Sequence, residues 1–410
     1  MKMTERKRVY LYFVVNFLYL MACNFAHPVT PTIIQQRGFG DYMFGVALAA
    51  MMLANFFFSP FWGKLVNFLS SRRVILICSL GYAAGQAMFF MANTEGTMVA
   101  ARMFAGVFVG GVFTAFLTYL VNTSPDHQRS NYLTIAATIQ TVGSAFGYFV
   151  GGMLGEINVS VAIIAQVVTL AGCGILFYFI CEDDAASKIE EVRLKDLARE
   201  ANPLVAFLDG KSILTPLLVT LLVVGALSGL GNSAFDQSFN YYLKAQLGLS
   251  SGYNGAIKAV IGFVCLAANS TLGLWLINKT DIRRSSIYVY LLCSVSMVGV
   301  VLFDAIVPFV AANVIYFGFF AISVPLTQSL VANMGKGKDS NLIMGYFNGL
   351  KSLGGIFGAF SAGLLYTINP KWPFILGLAA FAFATVVSAY HYYLSDHKVS
   401  VREATCHTDS

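Results

Sequence analysis

The sequence predicts an all-helical integral membrane protein, with twelve transmembrane helices in two pseudo-symmetric six-helix bundles. Three observations carry this: apolar runs of membrane-spanning length, a one-sided placement of basic residues, and an internal repeat. Apolar residues fill 57% of the 410 positions and charged ones 11%, too little polar surface to coat a soluble globule of this size. A span needs about 20 mostly apolar helical residues. Such runs fall at 9–26, 43–61, 74–92, 97–121, 133–154, 159–181, 213–242, 254–277, 287–303, 307–331, 343–366 and 372–393. The first follows Lys2, Arg6, Lys7 and Arg8 but has no small-residue cleavage site after it, so it reads as a retained helix. Stretches such as Leu217 to Val224 are continuously apolar, whereas barrel strands alternate.

Basic residues set the orientation, because cytoplasmic loops collect them. With the N-terminus inside, 20 of the 26 Lys and Arg fall on the inner side, and only Arg37, Lys244 and Lys371 fall outside. Both termini are therefore expected in the cytoplasm, with the protein in the plasma (inner) membrane. Arg102, Lys258 and Lys351 lie within spans. The net charge of +6 is spread over many loops, as topology alone requires, so no nucleic-acid partner is expected. The seven cysteines show no CxxC or Cys/His spacing and read as helix-contact filler, not as a zinc site or disulfide framework. The five His lie at span ends, loops or tails. No cofactor or metal is expected, there is no Walker lysine loop, and an enzyme's convergent catalytic groups are missing.

The repeat appears under a shift of 211 residues. Leu65, Asn67, Arg72 and Arg73 then fall on Leu276, Asn278, Arg283 and Arg284. Gly143, Phe146, Gly147, Phe149, Gly152 and Leu154 fall on Gly354, Phe357, Gly358, Phe360, Gly363 and Leu365. The expected organisation is an N-terminal bundle (1–181), a cytoplasmic linker with an amphipathic helix (182–212), a C-terminal bundle (213–395) and a cytoplasmic tail (396–410). Two parallel six-helix repeats suit alternating access around a midplane cavity. A monomer in the lipid bilayer is expected.

Small residues recur every fourth position on span 5 (Gly143, Gly147, Gly151, beside Gly152) and on span 11 (Gly354, Gly358, Ala362), a face on which another helix approaches closely. With the Arg102-x-x-x-Gly-x-x-x-Gly-Gly pattern of span 4, this wording resembles the major facilitator superfamily, and within it the twelve-span drug:proton antiporters of the multidrug, quinolone and tetracycline efflux type. The loop after span 2 resembles the superfamily's Gly-x-Leu-x-Asp-Arg-x-Gly-Arg-Arg signature through Gly63, Leu65, Arg72 and Arg73. Here Asn67 replaces its Asp and Phe68 its first Arg, and on span 5 Tyr148 stands where the family usually has Pro. The resemblance implies that these loop residues and glycines serve conformational gating. It also implies that Asp236, in Ser233-Ala-Phe-Asp236 of span 7, matches the acidic protonation site of quinolone-efflux relatives. A second acid those relatives often carry on span 10 is missing at Gly318-Phe319-Phe320.

Asp236 is the acid that lies well inside a predicted span, and an intramembrane carboxylate is expensive unless paired or hydrated. It reads as a proton-coupling residue with Arg102, or else as a structural partner of Arg102 or Lys258, or as the surface end of a short span 7. Lys351 lies near mid-depth of span 11, and its repeat partner is Gln140. Polar groups at equivalent depths suggest a shared wet cavity, with Gln140, Lys351, Lys258, Asn232, Asn348 and Phe235 as candidate substrate contacts. Three intramembrane cations against one acid favour an anionic or zwitterionic amphiphile. The implied function is proton-coupled export of amphiphilic small molecules. The alternatives are a lipid or metabolite exporter, a proton symporter, or a non-transporting receptor or sensor.

Overall fold

The computed structural model describes residues 5–184, 214–334 and 339–408, so most of the expected linker with its amphipathic helix lies outside the described residues. Among those residues twelve long helices follow one another. Ten are long and apolar enough to cross a membrane. The others are span 1 (Glu5–Cys23), which begins with Arg6, Lys7 and Arg8, and span 11 (Asp339–Ile368).

The expected and observed spans differ where local chemistry intervenes. Span 1 stops at Cys23, turns through 24–29, and resumes as the short helix Thr30–Gln36. His27-Pro28 explains the break: proline lacks the N–H that would bond one turn back and pushes the preceding residue out of helical backbone. Span 8 runs from Ser251 to Ala268 and from Leu274 to Lys279, with one π-helical turn, Asn269–Gly273, between. Span 12 continues past the expected 393 to Thr408.

The chain divides into two compact units, Met1–Ala206 with Phe239–Phe263, and Phe207–Ser238 with Val264–Ser410. In the first, Tyr12, Phe116, Tyr119 and Phe177 form a ring cluster in the core, and Tyr12 donates to the Phe116 carbonyl at 3.0 Å. In the second, Phe235 is fully enclosed, its ring 4.1 Å from that of Tyr316 and 5.4 Å from that of Phe374.

Each unit is closed by its glycine track. A Cβ at Gly147 would strike the Met21 carbonyl oxygen and one at Gly151 the Phe25 backbone, so span 5 touches span 1 backbone to backbone at its break. In the second unit a Cβ at Gly354 would strike the Ala226 carbonyl and one at Gly358 the Leu230 carbonyl, the same contact between spans 11 and 7. The repeat seen in the sequence is thus a repeated helix contact.

Candidate functional site

Arg102 sits two turns into span 4 (Glu95–Thr123), whose start is fixed by a capping box between Thr94 and Thr97. Small residues around it let neighbouring helices close over it. A Cβ at Gly106 would strike the Met51 carbonyl of span 2, and one at Gly85 of span 3 would come 2.8 Å from the Ala105 backbone. The guanidinium carbon lies 3.7 Å from the centre of the Phe89 ring, a cation–π contact. Its nitrogens are 3.4 Å from Gln86 Oε1 and from Thr30 Oγ1 of the resumed span 1 helix. Among the described residues Arg102 has no carboxylate partner, although only 7% of it is exposed.

Lys258, buried on span 8, lies over two rings of its own unit, with Nζ 5.6 Å from the centre of Tyr148 and 5.0 Å from that of Phe239. The other face of span 5 reaches the same helix. A Cβ at Gly255 would strike the Tyr148 carbonyl, and one at Gly152 would come 3.0 Å from Gly255 Cα. Tyr148, the departure from the family's Pro, also stacks on His27 at 5.3 Å. Gln140 is exposed on span 5.

In the second unit Asp236 is half-buried on span 7 (Pro216–Ala245), and Gln237 Nε2 donates to its Oδ2 at 3.1 Å. One turn before it, Asn232 accepts from the Tyr316 hydroxyl at 3.4 Å. Lys351 is half-buried on span 11, and its carbonyl lies where a Cβ on Gly229 would fall, so spans 7 and 11 meet beside the Asn232 turn. Asn348 is exposed, and Phe235 stays within the ring cluster.

The loop after span 2 holds what sequence reasoning missed. Three consecutive acids after span 6 hold the end of this loop and the start of span 1. Glu182 pairs with Arg8 at 2.6 Å, and Asp183 with Arg72 at 2.6 Å and Arg73 at 3.6 Å. Asp184 accepts from the Ser71 backbone N–H at 2.7 Å and from its hydroxyl at 2.6 Å, capping the start of span 3. Gly63 faces Thr114, where a Cβ would sit at 3.4 Å, and Asn67 lies in the last turn of span 2. In the second unit the equivalent cap is local: Asp281 accepts from Arg283 N at 3.0 Å and pairs with its guanidinium at 3.0 Å, which holds the Asp281 carboxyl below the usual range. Buried His391 contacts Thr220 Oγ1 through Nδ1 at 2.7 Å, a cross-helix bond that its place near a span end did not announce. No group of three or more His, Cys, Asp or Glu side chains suited to a metal occurs among the described residues.

The sequence profile of the Major Facilitator Superfamily matches residues 12–321. The chain belongs to the major facilitator superfamily. It is 20% identical over 385 residues to Multidrug resistance protein 2 of Bacillus subtilis (strain 168), covering 90% of this chain and 92% of that protein. It is 22% identical over 236 residues to Quinolone resistance protein NorA of Staphylococcus aureus (strain MSSA476), a match spanning 58% of each chain. Among solved structures, a bacterial homologue of the iron transporter ferroportin in its inward-facing state superposes with a TM-score of 0.74 at 12% identity, covering 95% of this chain and 99% of that one. The human organic anion transporter MFSD10 gives 0.67 at 17% identity, over 94% and 100%. These likenesses establish the twelve-helix major facilitator fold. The protein is a multi-pass membrane transporter and not an enzyme.

Proposed function

We propose that the protein is a proton-coupled exporter of amphiphilic anionic or zwitterionic small molecules, working by alternating access in the plasma membrane as a monomer with both termini in the cytoplasm. The observation that carries this is Asp236, a half-buried carboxylate within a membrane-length helix, one turn from the polar Asn232. Desolvation favours the neutral acid and hydration or a nearby cation the ionised one. A side chain under both influences takes a proton in one state and releases it in the other. Arg102, Lys258 and Lys351 give the interior a positive bias, which suits a substrate carrying negative charge. The drug-resistance proteins among its relatives support export as the direction.

In proteoliposomes with an imposed pH gradient, Asp236→Asn should bind substrate but lose net pH-driven transport, because Asn mimics the protonated acid and cannot release a proton. Asp236→Glu should keep partial activity with a shifted pH optimum. A structural role predicts instead a loss of stability of about 3–5 kcal/mol from a cation left unpaired, with binding and transport failing together. A folded Asp236→Asn protein that still concentrates substrate in response to the gradient would remove Asp236 from the coupling path.

A further inference from the structure

Arg102 is a buried cation, and the helices packed around it hold no acid to balance it. Span 2 (Met43–Leu69), span 3 (Ser71–Met91), span 6 (Val159–Ile180) and the short helix Thr30–Gln36 contain no Asp or Glu, and span 4 contains only Glu95, in its first turn. Glu95 is engaged elsewhere, accepting from the Gly40 backbone N–H at 2.8 Å and from the Tyr42 hydroxyl. A charge inside a membrane span is costly unless a partner or water meets it. We propose that a chloride ion, bound between the edge of the Arg102 guanidinium and the side-chain amide of Gln86, is the counter-ion.

Donors outnumber acceptors at this point of the first unit. A guanidinium carries five N–H groups. Arg102 directs two of its nitrogens to Gln86 Oε1 and Thr30 Oγ1, each at 3.4 Å, long for bonds that usually run at about 2.9–3.0 Å. Phe89 covers one face of the group, so its remaining donors point outward in the plane. Gln86 is 1% exposed, and its amide nitrogen has no acceptor among the described residues. Thr30 gives its proton to the Ala26 carbonyl at 2.7 Å. The Tyr82 hydroxyl beside both side chains brings one donor with its acceptor capacity, which leaves the excess of N–H groups in place. Water would add donors of its own. A monatomic anion only accepts, so it meets the unused N–H groups and the buried charge together.

Size and charge select chloride. The helices press together on either side of the arginine, where Gly106 meets the Met51 carbonyl and Gly85 the Ala105 backbone, a packing too close for an organic acid. One guanidinium balances one negative charge, so a divalent anion would bring a second, unpaired one. The site lies two turns from the start of span 4 and near the end of span 3, so an ion from bulk solvent has a short way to travel. With chloride bound, the positive bias of the interior rests on Lys258 and Lys351, and the role of Asp236 is untouched.

Thermal unfolding of the purified full-length protein in detergent, at constant ionic strength with chloride exchanged for gluconate, tests the assignment. Raising chloride from about 1 mM to about 100 mM should lift the melting temperature by about 3–5 °C along a saturating curve, because a ligand held only by the folded state stabilises it by mass action. Bromide should substitute, and crystals grown with it should show an anomalous peak between Arg102 and Gln86. Gln86→Glu carries a negative charge of its own to the guanidinium, so it should melt at or above the chloride-loaded unaltered protein and lose the chloride dependence. Gln86→Leu removes the amide donor and should raise the chloride concentration needed by about tenfold, the loss of about 1.4 kcal/mol of binding. Equal melting of the unaltered protein in chloride and gluconate would overturn the proposal without relying on any variant. A chloride dependence that persists unchanged in Gln86→Glu would place the ion elsewhere and overturn it as well.

Discussion

Ser70 is the only non-glycine residue with positive φ among the described residues, at φ 69° and ψ 149°. An L side chain in that region stores about 1–3 kcal/mol of strain. Ser70 also makes no cap bond of its own, whereas Asp281, its counterpart under the 211 shift, caps span 9. Asp184 supplies the missing cap from the far end of the unit. Ser70→Gly should therefore raise stability by about 1 kcal/mol, and Asp184→Ala should lower it by about 0.5–2 kcal/mol, both read as shifts in thermal unfolding in detergent. A lower melting temperature for Ser70→Gly would mean that its side chain holds the loop more than its backbone strains it. The departure at Asn67 is legible in the sequence, but the distant acid that caps the end of this loop is not. Asp184 lies 113 residues from Ser71, and no local pattern couples an acidic run after span 6 to a loop after span 2.

Glycine spacing was the most legible feature at the scale of helices, because a small residue every fourth position forces one face to be smooth. What the spacing does not specify is the partner. One face of span 5 (Gly147, Gly151) meets span 1 and another (Gly152) meets span 8, a division set by tertiary packing. The break in span 1 was equally hidden: its apolar run continues to Ala26, but Pro28 acts backward through the hydrogen bonds its ring removes. Hydropathy registers neither effect, since it counts side chains and not backbone bonds. The contacts give a sharp contrast between glycines of one helix. Gly358→Val should abolish folded protein, because the new Cβ would occupy the Leu230 carbonyl and overpacking of this kind costs at least 1–3 kcal/mol. Gly345→Ala, also on span 11, meets nothing within 4 Å and should add up to about 1 kcal/mol of helix propensity. Size-exclusion yield and melting temperature of the two variants measure the difference.

For the whole chain, the placement of charge makes the strongest claim. Inverting the molecule would put the inner set of 20 basic residues outside and leave 3 inside, against the bias by which cytoplasmic loops retain Lys and Arg. Span 8 offers a direct reading of this, because exposed residues flank it at both ends: Gln246 before Ser251, and Lys279 as its last residue. The 29 residues from Ser251 to Lys279 extend about 43 Å at 1.5 Å per residue, enough to separate the two positions by a full bilayer of about 40–45 Å with its headgroups. In a background with all seven cysteines replaced, a membrane-impermeant maleimide applied to intact cells should label Gln246→Cys and spare Lys279→Cys. Both should react once the membrane is permeabilised, which shows that sparing reflects sidedness and not burial. Labelling of Lys279→Cys alone in intact cells would invert the orientation. It would also reverse the direction of the proton-coupled cycle proposed above. Labelling of both in intact cells would mean that span 8 does not cross the membrane, and the twelve-span topology would fail with it.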